Sequence, residues 1–178
     1  MRHIGEVNGQ ELAWTQTDYC HSEYKLRAGD ETVATLCWRE GSLAIAETAD
    51  GRWSFERPGF RRSRVSIRTA GFGTEIAVFS SSWIGGGTLE LVGGRLFHWF
   101  ATNLWRSRWV WREADGKELV RFRSRQRLRL SGLVERSQSA ATLPELDLLV
   151  TLGWYLLVMR LQDSTTDAVA ATAGTAGS

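Results

Sequence analysis

The sequence predicts a mainly β protein in which the strands wrap around one buried hydrophobic α-helix. Short segments of alternating apolar and polar residues recur between residues 12 and 135, and turn-forming residues separate them at intervals of roughly 8–12 residues. The chain also contains nine tryptophans, and large aromatic rings favour pleated, half-buried surfaces. One long apolar segment, residues 148–159, follows the last alternating segment.

The strands are predicted from period-two alternation, which places every second side chain on the same face of a sheet. In RWSFE this puts Trp53 and Phe55 on one face, and in RVSIR it does the same for Val65 and Ile67. Further segments of this kind are EIAVF (75–79), TLELV (88–92), RLFHWF (95–100), RWVWR (108–112) and ELVRF (118–122). Gly-Gly and Asp-Gly pairs between them tolerate the positive φ of hairpin turns, so the pattern predicts an all-β barrel or sandwich.

The helix is predicted to run from about residue 143 to about residue 162. Thr142 and Glu145 have the spacing of a capping box, with Pro144 in the first turn. Asp147 and Arg160 place charges of the favourable sign near the two ends of this helix.

The helix is predicted to be buried inside the protein. Residues 148–159 are apolar except for Thr151 and Gly153, and a helix that is apolar on every side belongs in a core. Twelve residues span roughly 18 Å, which is short of the ~30 Å hydrocarbon core of a bilayer. Membrane insertion and an oligomer contact are the alternatives, and no transmembrane span is expected.

The chain is predicted to be a single domain. Its 178 residues are enough for one sizeable core. Residues 12–162 form this domain, and residues 1–11 form an N-terminal segment before it. The small and polar composition of residues 163–178 predicts a disordered tail, because such a segment buries too little apolar surface.

Basic residues are concentrated late in the chain. The net charge is only +2, yet residues 95–136 hold eleven bases against four acids. In RFRSRQRLRL, arginine occupies every second position, which places five guanidinium groups on one face of a strand. The candidate anion-binding residues are Arg121, Arg123, Arg125, Arg127 and Arg129, extended by Arg61, Arg62, Arg64 and Arg68 if the strands meet in space. The alternative is a solvent-facing strand whose arginines pair with acids on neighbouring strands.

Signals for enzymatic chemistry, metals or nucleic acid are weak. Cys20 and Cys37 form no CxxC pair, and His3, His21 and His98 form no metal-ligand pattern. In WRSRWVWR (105–112) we interpret the tryptophans as core residues that alternate with surface arginines; exposed tryptophans would instead suit base stacking or a membrane interface. We therefore expect no catalytic residues, no metal, no cofactor and no nucleic-acid partner.

Three stretches give the chain a resemblance to a known superfamily. They are ADGRWSFERPGF, then LVGGRLFHWF followed by RWVWREADGKELVRF, and finally LPELDLLVTLGWYLL. Residues 12–161 resemble the tubby C-terminal-like superfamily, which includes tubby domains, phospholipid scramblases and LURP-one-related proteins. The resemblance implies a closed antiparallel β-barrel of about twelve strands around a buried hydrophobic C-terminal α-helix.

The functional residues of that superfamily do not carry over. Tubby domains bind phosphoinositides through scattered basic side chains, and none of these matches a position in this chain. Scramblases have an acidic stretch before the helix that is proposed to bind calcium, but VERSQSAAT contains only Glu135. Glu145 and Asp147 alone would not satisfy a calcium ion that takes six or more oxygen ligands.

These observations predict a non-enzymatic binding or scaffold module in the cytoplasm. Its expected partners are anionic phospholipid headgroups, reached at the membrane periphery through the arginine-rich strand face, or an acidic protein partner. A scramblase-like membrane-associated protein, or an enzyme or ligand carrier without a readable site, is the alternative. The N-terminal residues lack the apolar core of a signal peptide, and the oligomeric state is left open.

Overall fold

The fold is described from a computed structural model that covers residues 1–7, 9–17, 23–58, 63–71, 73–82, 85–126 and 130–173. The described residues form twelve β-strands, two short 3-10 helices at Ile4–Glu6 and Gln138–Thr142, and one α-helix, α1, at Leu146–Ala173. The strands are β1 (Leu12–Gln16), β2 (Glu23–Ala28), β3 (Glu31–Trp38), β4 (Ala44–Thr48), β5 (Arg52–Glu56), β6 (Arg64–Thr69), β7 (Glu75–Ser81), β8 (Gly87–Leu91), β9 (Leu96–Ala101), β10 (Arg108–Glu113), β11 (Glu118–Gln126) and β12 (Leu130–Arg136).

The strands form a closed antiparallel barrel. Each strand pairs with its neighbours in sequence, and β1 pairs with β12 to close the sheet. In that closing pair Leu12 lies opposite Val134, and Trp14 lies opposite Gly132. This confirms the predicted barrel around a C-terminal helix.

The interior of the barrel is filled by α1. From Leu148 to Met159 every residue is buried except Leu156, which is half-buried. The ring of Trp154 stacks on Trp14 with centroids 5.6 Å apart, and the Tyr155 ring stacks on Trp38 at 5.5 Å. Burial raises the pKa of Tyr155, and its neutral hydroxyl donates to the carbonyl oxygen of Ser42 at 2.7 Å. The predicted burial of this helix is therefore confirmed.

The boundaries of α1 differ from the predicted ones at both ends. Thr142 ends a 3-10 helix and α1 begins only at Leu146, so the predicted capping box is wrong. The Glu145 carboxylate instead accepts two hydrogen bonds of 2.8 Å from Arg95, a contact between distant residues that local spacing does not reveal.

At its C-terminal end, α1 continues to Ala173, although a disordered tail was predicted from residue 163 onward. Residues 163–173 are rich in alanine, the strongest helix former, and they extend a helix that is already nucleated in the core. Arg57 also pairs with Asp163 in a bidentate contact of 2.7 and 3.0 Å, which joins the helix beyond its predicted end to the segment that directly follows β5. Residues 174–178 lie outside the described part of the chain.

The helix α1 enters the barrel at one end and leaves it at the other, and these are called the entry end and the exit end. At the entry end, the first turn of α1 packs against both 3-10 helices, close to the turn that joins β4 and β5. At the exit end, α1 leaves the barrel beside Arg57 and Gly85, and the connection between β9 and β10 lies at this end as well. Within the described residues, no helix has an apolar run long enough to cross a bilayer.

Candidate anion-binding surface

The described arginines of β11 project from the outer face of the barrel. Phe122 points inward and is fully buried, whereas Arg121, Arg123 and Arg125 alternate with inward-facing residues and reach the surface. Two of these arginines have acidic partners. A guanidinium nitrogen of Arg121 lies 2.6 Å from Glu118, and one of Arg123 lies 3.2 Å from Glu135.

Arg125 differs from its neighbours on β11. It is exposed, and no carboxylate in the described part of the chain pairs with it. Arg127 and Arg129 lie outside the described residues. Of the described β11 arginines, only Arg125 therefore keeps a charge that is available to an external anion.

Arg64 does not extend the β11 surface. Four strands separate β6 from β11 in the barrel, and the guanidinium of Arg64 lies 3.7 Å from the carboxylate of Glu75. The predicted extension is therefore wrong for Arg64 and for Arg68, which lies on the same strand, because local spacing does not show the order of strands around a barrel. Arg61 and Arg62 lie outside the described residues.

The β10 strand contributes a further arginine next to this surface. Arg108 lies directly opposite Arg123 in the β10–β11 register, and both side chains are on the outer face. Arg108 is exposed and has no carboxylate partner among the described residues. Like charges at opposite positions repel, but Glu135 lies 3.2 Å from Arg123 and compensates its charge, so Arg108 is the arginine of this pair that lacks an acidic partner among the described residues.

The loop between β9 and β10 carries two large apolar side chains in solvent. Leu104 is 98% exposed and Trp105 is 90% exposed, and they are adjacent at the loop tip. Hydrogen bonds from backbone N–H groups to a side chain within the loop fix its conformation. The Asn103 side-chain oxygen accepts hydrogen bonds from the backbone N–H groups of Ser107 and Arg108, at 3.1 and 3.0 Å. An exposed apolar patch formed by two large adjacent side chains is a candidate contact surface for a partner.

A recess of about 150 Å³ lies at the exit end. Arg160 lines it, and its guanidinium sits over the Trp109 ring at 4.9 Å from the centroid. Burial, and to a lesser extent the charge of Arg106, lowers the pKa of Arg160. A Cβ at Gly85 would lie 3.0 Å from a guanidinium nitrogen of Arg106 and 3.1 Å from one of Arg160, so the two cations converge there.

Gly85 is suited to this position for two reasons. Its φ of +88° lies in the region that glycine adopts without strain, and its missing side chain leaves room for the two guanidinium groups. Arg57 also lines the recess but is neutralised by Asp163. Among the described lining residues, Arg160 is therefore the cation that no carboxylate neutralises.

The sequence prediction missed the residues that make this surface distinctive. The tryptophans of residues 105–112 are predicted to be mostly core residues. Trp109 and Trp111 are buried as predicted, but Trp105 is in solvent. The signal in the sequence was the run TNLWRS, where an apolar pair interrupts a polar turn segment between two strands.

Searches against known protein families, curated proteins and solved structures found no match for this chain. The residues at the exit end therefore carry the functional proposal alone.

Proposed function

We propose that this protein is a non-enzymatic binding module that docks its exit end on anionic phospholipid membranes. The observation that carries the proposal is the pair Leu104 and Trp105, which stands in solvent next to Arg106 and Arg108. Tryptophan favours the interface between headgroups and hydrocarbon, where its ring is half in each environment. Arginines at the same end would meet the negative surface potential of anionic lipids.

Burial of apolar side chains and electrostatic attraction each contribute weakly to membrane binding, and this geometry combines the two. Full burial of a leucine side chain is worth about 1.5–3 kcal/mol, and each basic residue near an anionic membrane adds about 1 kcal/mol. Neither contribution alone gives stable attachment, whereas apolar insertion together with basic residues does. The recess beside Arg160 supports the proposal further, since it offers a cationic site to one headgroup phosphate.

The order of the elements, twelve strands followed by one buried helix, is the order that the resemblance to the tubby C-terminal-like superfamily implies. Kinship with that superfamily remains a prediction. An acidic protein partner would meet the same arginines but would not require an apolar loop tip, so the loop variant below distinguishes the two partners.

The double variant Leu104→Ser/Trp105→Ser is expected to weaken vesicle binding about tenfold or more, since a loss of 1.4 kcal/mol already accounts for a factor of ten. The measurement is co-sedimentation with phosphatidylcholine vesicles that contain phosphatidylserine or a phosphoinositide. The matched control is Val92→Ser, which removes a 79% exposed apolar side chain from the turn after β8, at the entry end. Equal binding by the loop variant and the control would contradict insertion of the loop.

The double variant Arg108→Gln/Arg125→Gln is expected to weaken binding to anionic vesicles by roughly 30-fold, from about 1 kcal/mol per arginine. Binding by the unmodified protein should also fall between about 0.1 M and about 1 M salt, as the Debye length shrinks from ~10 to ~3 Å. The control Arg27→Gln/Arg68→Gln removes the same charge from exposed positions near the entry end. A similar loss with both variants would show that net charge, and not the exit end, governs binding.

A further inference from the structure

Three metal-ligating side chains meet at the entry end, opposite the proposed membrane surface. His3 precedes the first 3-10 helix, Asp50 belongs to the turn between β4 and β5, and Asp147 lies in the first turn of α1. One potential ligand atom from each residue lies within 4.8 Å of the other two. The fold therefore gathers these residues from three distant parts of the chain.

The strongest indication of a ligand is the state of Asp147. Its side chain is only 1% exposed, yet neither carboxylate oxygen has a hydrogen bond of normal geometry among the described residues. The Thr48 hydroxyl and the Ile4 N–H lie near this carboxylate but do not form hydrogen bonds of normal geometry with it. A buried polar group without a partner is unfavourable, and this one is aimed at two other potential ligands.

His3 and Asp50 form the solvent-facing side of this cluster. The imidazole Nδ1 of His3 contacts the Asp50 carboxylate, and both residues are exposed. The cluster is therefore open to ions on one side and closed by Asp147 on the other. Two carboxylates and a neutral imidazole carry a formal charge of −2, which matches a divalent cation.

We propose that His3, Asp50 and Asp147 bind a divalent transition-metal ion of the Zn²⁺ class, with solvent completing the coordination. An imidazole ligand suits Zn²⁺ and its transition-metal neighbours, whereas Mg²⁺ and Ca²⁺ prefer oxygen ligands alone. Three protein ligands and one water is a known arrangement for Zn²⁺, and Ca²⁺ takes six or more oxygens.

Such an ion would cross-link three segments of the chain at the entry end. It would join the N-terminal segment, the turn between β4 and β5 and the start of α1, which are otherwise held by packing and hydrogen bonds. A ligand that binds only the folded state stabilises it by an amount that grows with the logarithm of the ratio of ligand concentration to Kd, and the melting temperature rises accordingly. A hundredfold excess of Zn²⁺ over its Kd is expected to raise the melting temperature by about 5–10 °C for a chain of this size.

The test uses the full chain, stripped of metal with a chelator, and titrates it with ZnCl₂ near neutral pH by calorimetry and by thermal melting. Binding of one Zn²⁺ per chain, with a rise in melting temperature, supports the proposal. Both effects should disappear in His3→Ala, an exposed substitution that leaves the core intact, and in Asp147→Asn, which keeps the side-chain shape. Asp30→Asn, an exposed acid in another entry-end turn, should bind as the unmodified chain does.

Several results would overturn the site. They are the absence of saturable Zn²⁺ binding, unchanged binding in His3→Ala, or an equal response to Ca²⁺ or Mg²⁺. Co²⁺ gives an independent readout, because its visible d–d absorption bands become intense in a four-coordinate protein site and should be lost in His3→Ala.

Discussion

Replacement of Gly153 by leucine is expected to prevent the chain from folding. A Cβ atom at this position would lie 2.5 Å from Cζ of Phe122 and 2.9 Å from the indole nitrogen of Trp111. Both neighbours are fully buried aromatic rings on the inner face of the barrel, so neither has solvent to move into. Extra methylenes in a well-packed core destabilise by about 1–3 kcal/mol, and leucine adds four carbons where even one does not fit.

Circular dichroism melting measures this effect, with near-ultraviolet signals reporting on the packed tryptophans. Gly93→Leu is the matched control, because a Cβ there meets no heavy atom within 4 Å and the residue has no positive φ. The control should stay within about 0.5 kcal/mol of the unmodified protein. A cooperative melt of Gly153→Leu at the unmodified temperature would place α1 outside the barrel.

Truncation of Trp154 to alanine is expected to lower the free energy of unfolding by about 3–5 kcal/mol. The Trp154 ring is fully buried, stacks on Trp14 with an interplanar angle of 5°, and meets the edge of Tyr24 at 5.9 Å. A Cβ at Gly132 would lie 2.7 Å from the same ring, which shows how closely β12 approaches it. Since a typical domain is stable by only about 5–15 kcal/mol, the loss is a large share of the total.

Chemical denaturation with urea gives the free energy directly. Trp105→Ala is the control, because it removes the same side chain from a site that is 90% exposed and should change stability by less than about 0.5 kcal/mol. The two variants should therefore separate stability from function. Trp154→Ala is expected to unfold easily, and Trp105→Ala to fold normally but bind vesicles weakly. Equal loss of stability in both would contradict the burial that distinguishes the two rings.

Local patterns were sufficient to predict the barrel and its helix. The alternation in RWSFE gives the inward faces of Trp53 and Phe55, and both side chains are buried as expected. A helix over residues 148–159 would be apolar on every side, which predicts that it is buried, because each side must pack against other residues. Helix ends were predicted less well. The capping box at Thr142 fails because Glu145 pairs instead with Arg95, which is distant in sequence.

For the candidate site, contacts between residues that are distant in sequence matter more, and local patterns predict correspondingly less. Alternation correctly places Arg121 and Arg123 on an outer face, but their pairing with Glu118 and Glu135 depends on strand register and turn geometry. Period-two alternation also does not predict the exposure of Trp105, because this residue lies in a loop and not on a strand. Convergence of Arg106 and Arg160 joins a loop to a helix end, which only the assembled fold reveals.

The position of α1 in the chain has a consequence for biosynthesis. All twelve strands are translated before the helix that fills their interior, and β1 and β12, which close the barrel, are separated by more than a hundred residues. A nascent chain with every strand outside the ribosome would still lack the side chains on which those strands pack. Folding of the barrel therefore waits until α1 has been translated, and the inward-facing aromatic residues remain accessible to chaperones until α1 emerges.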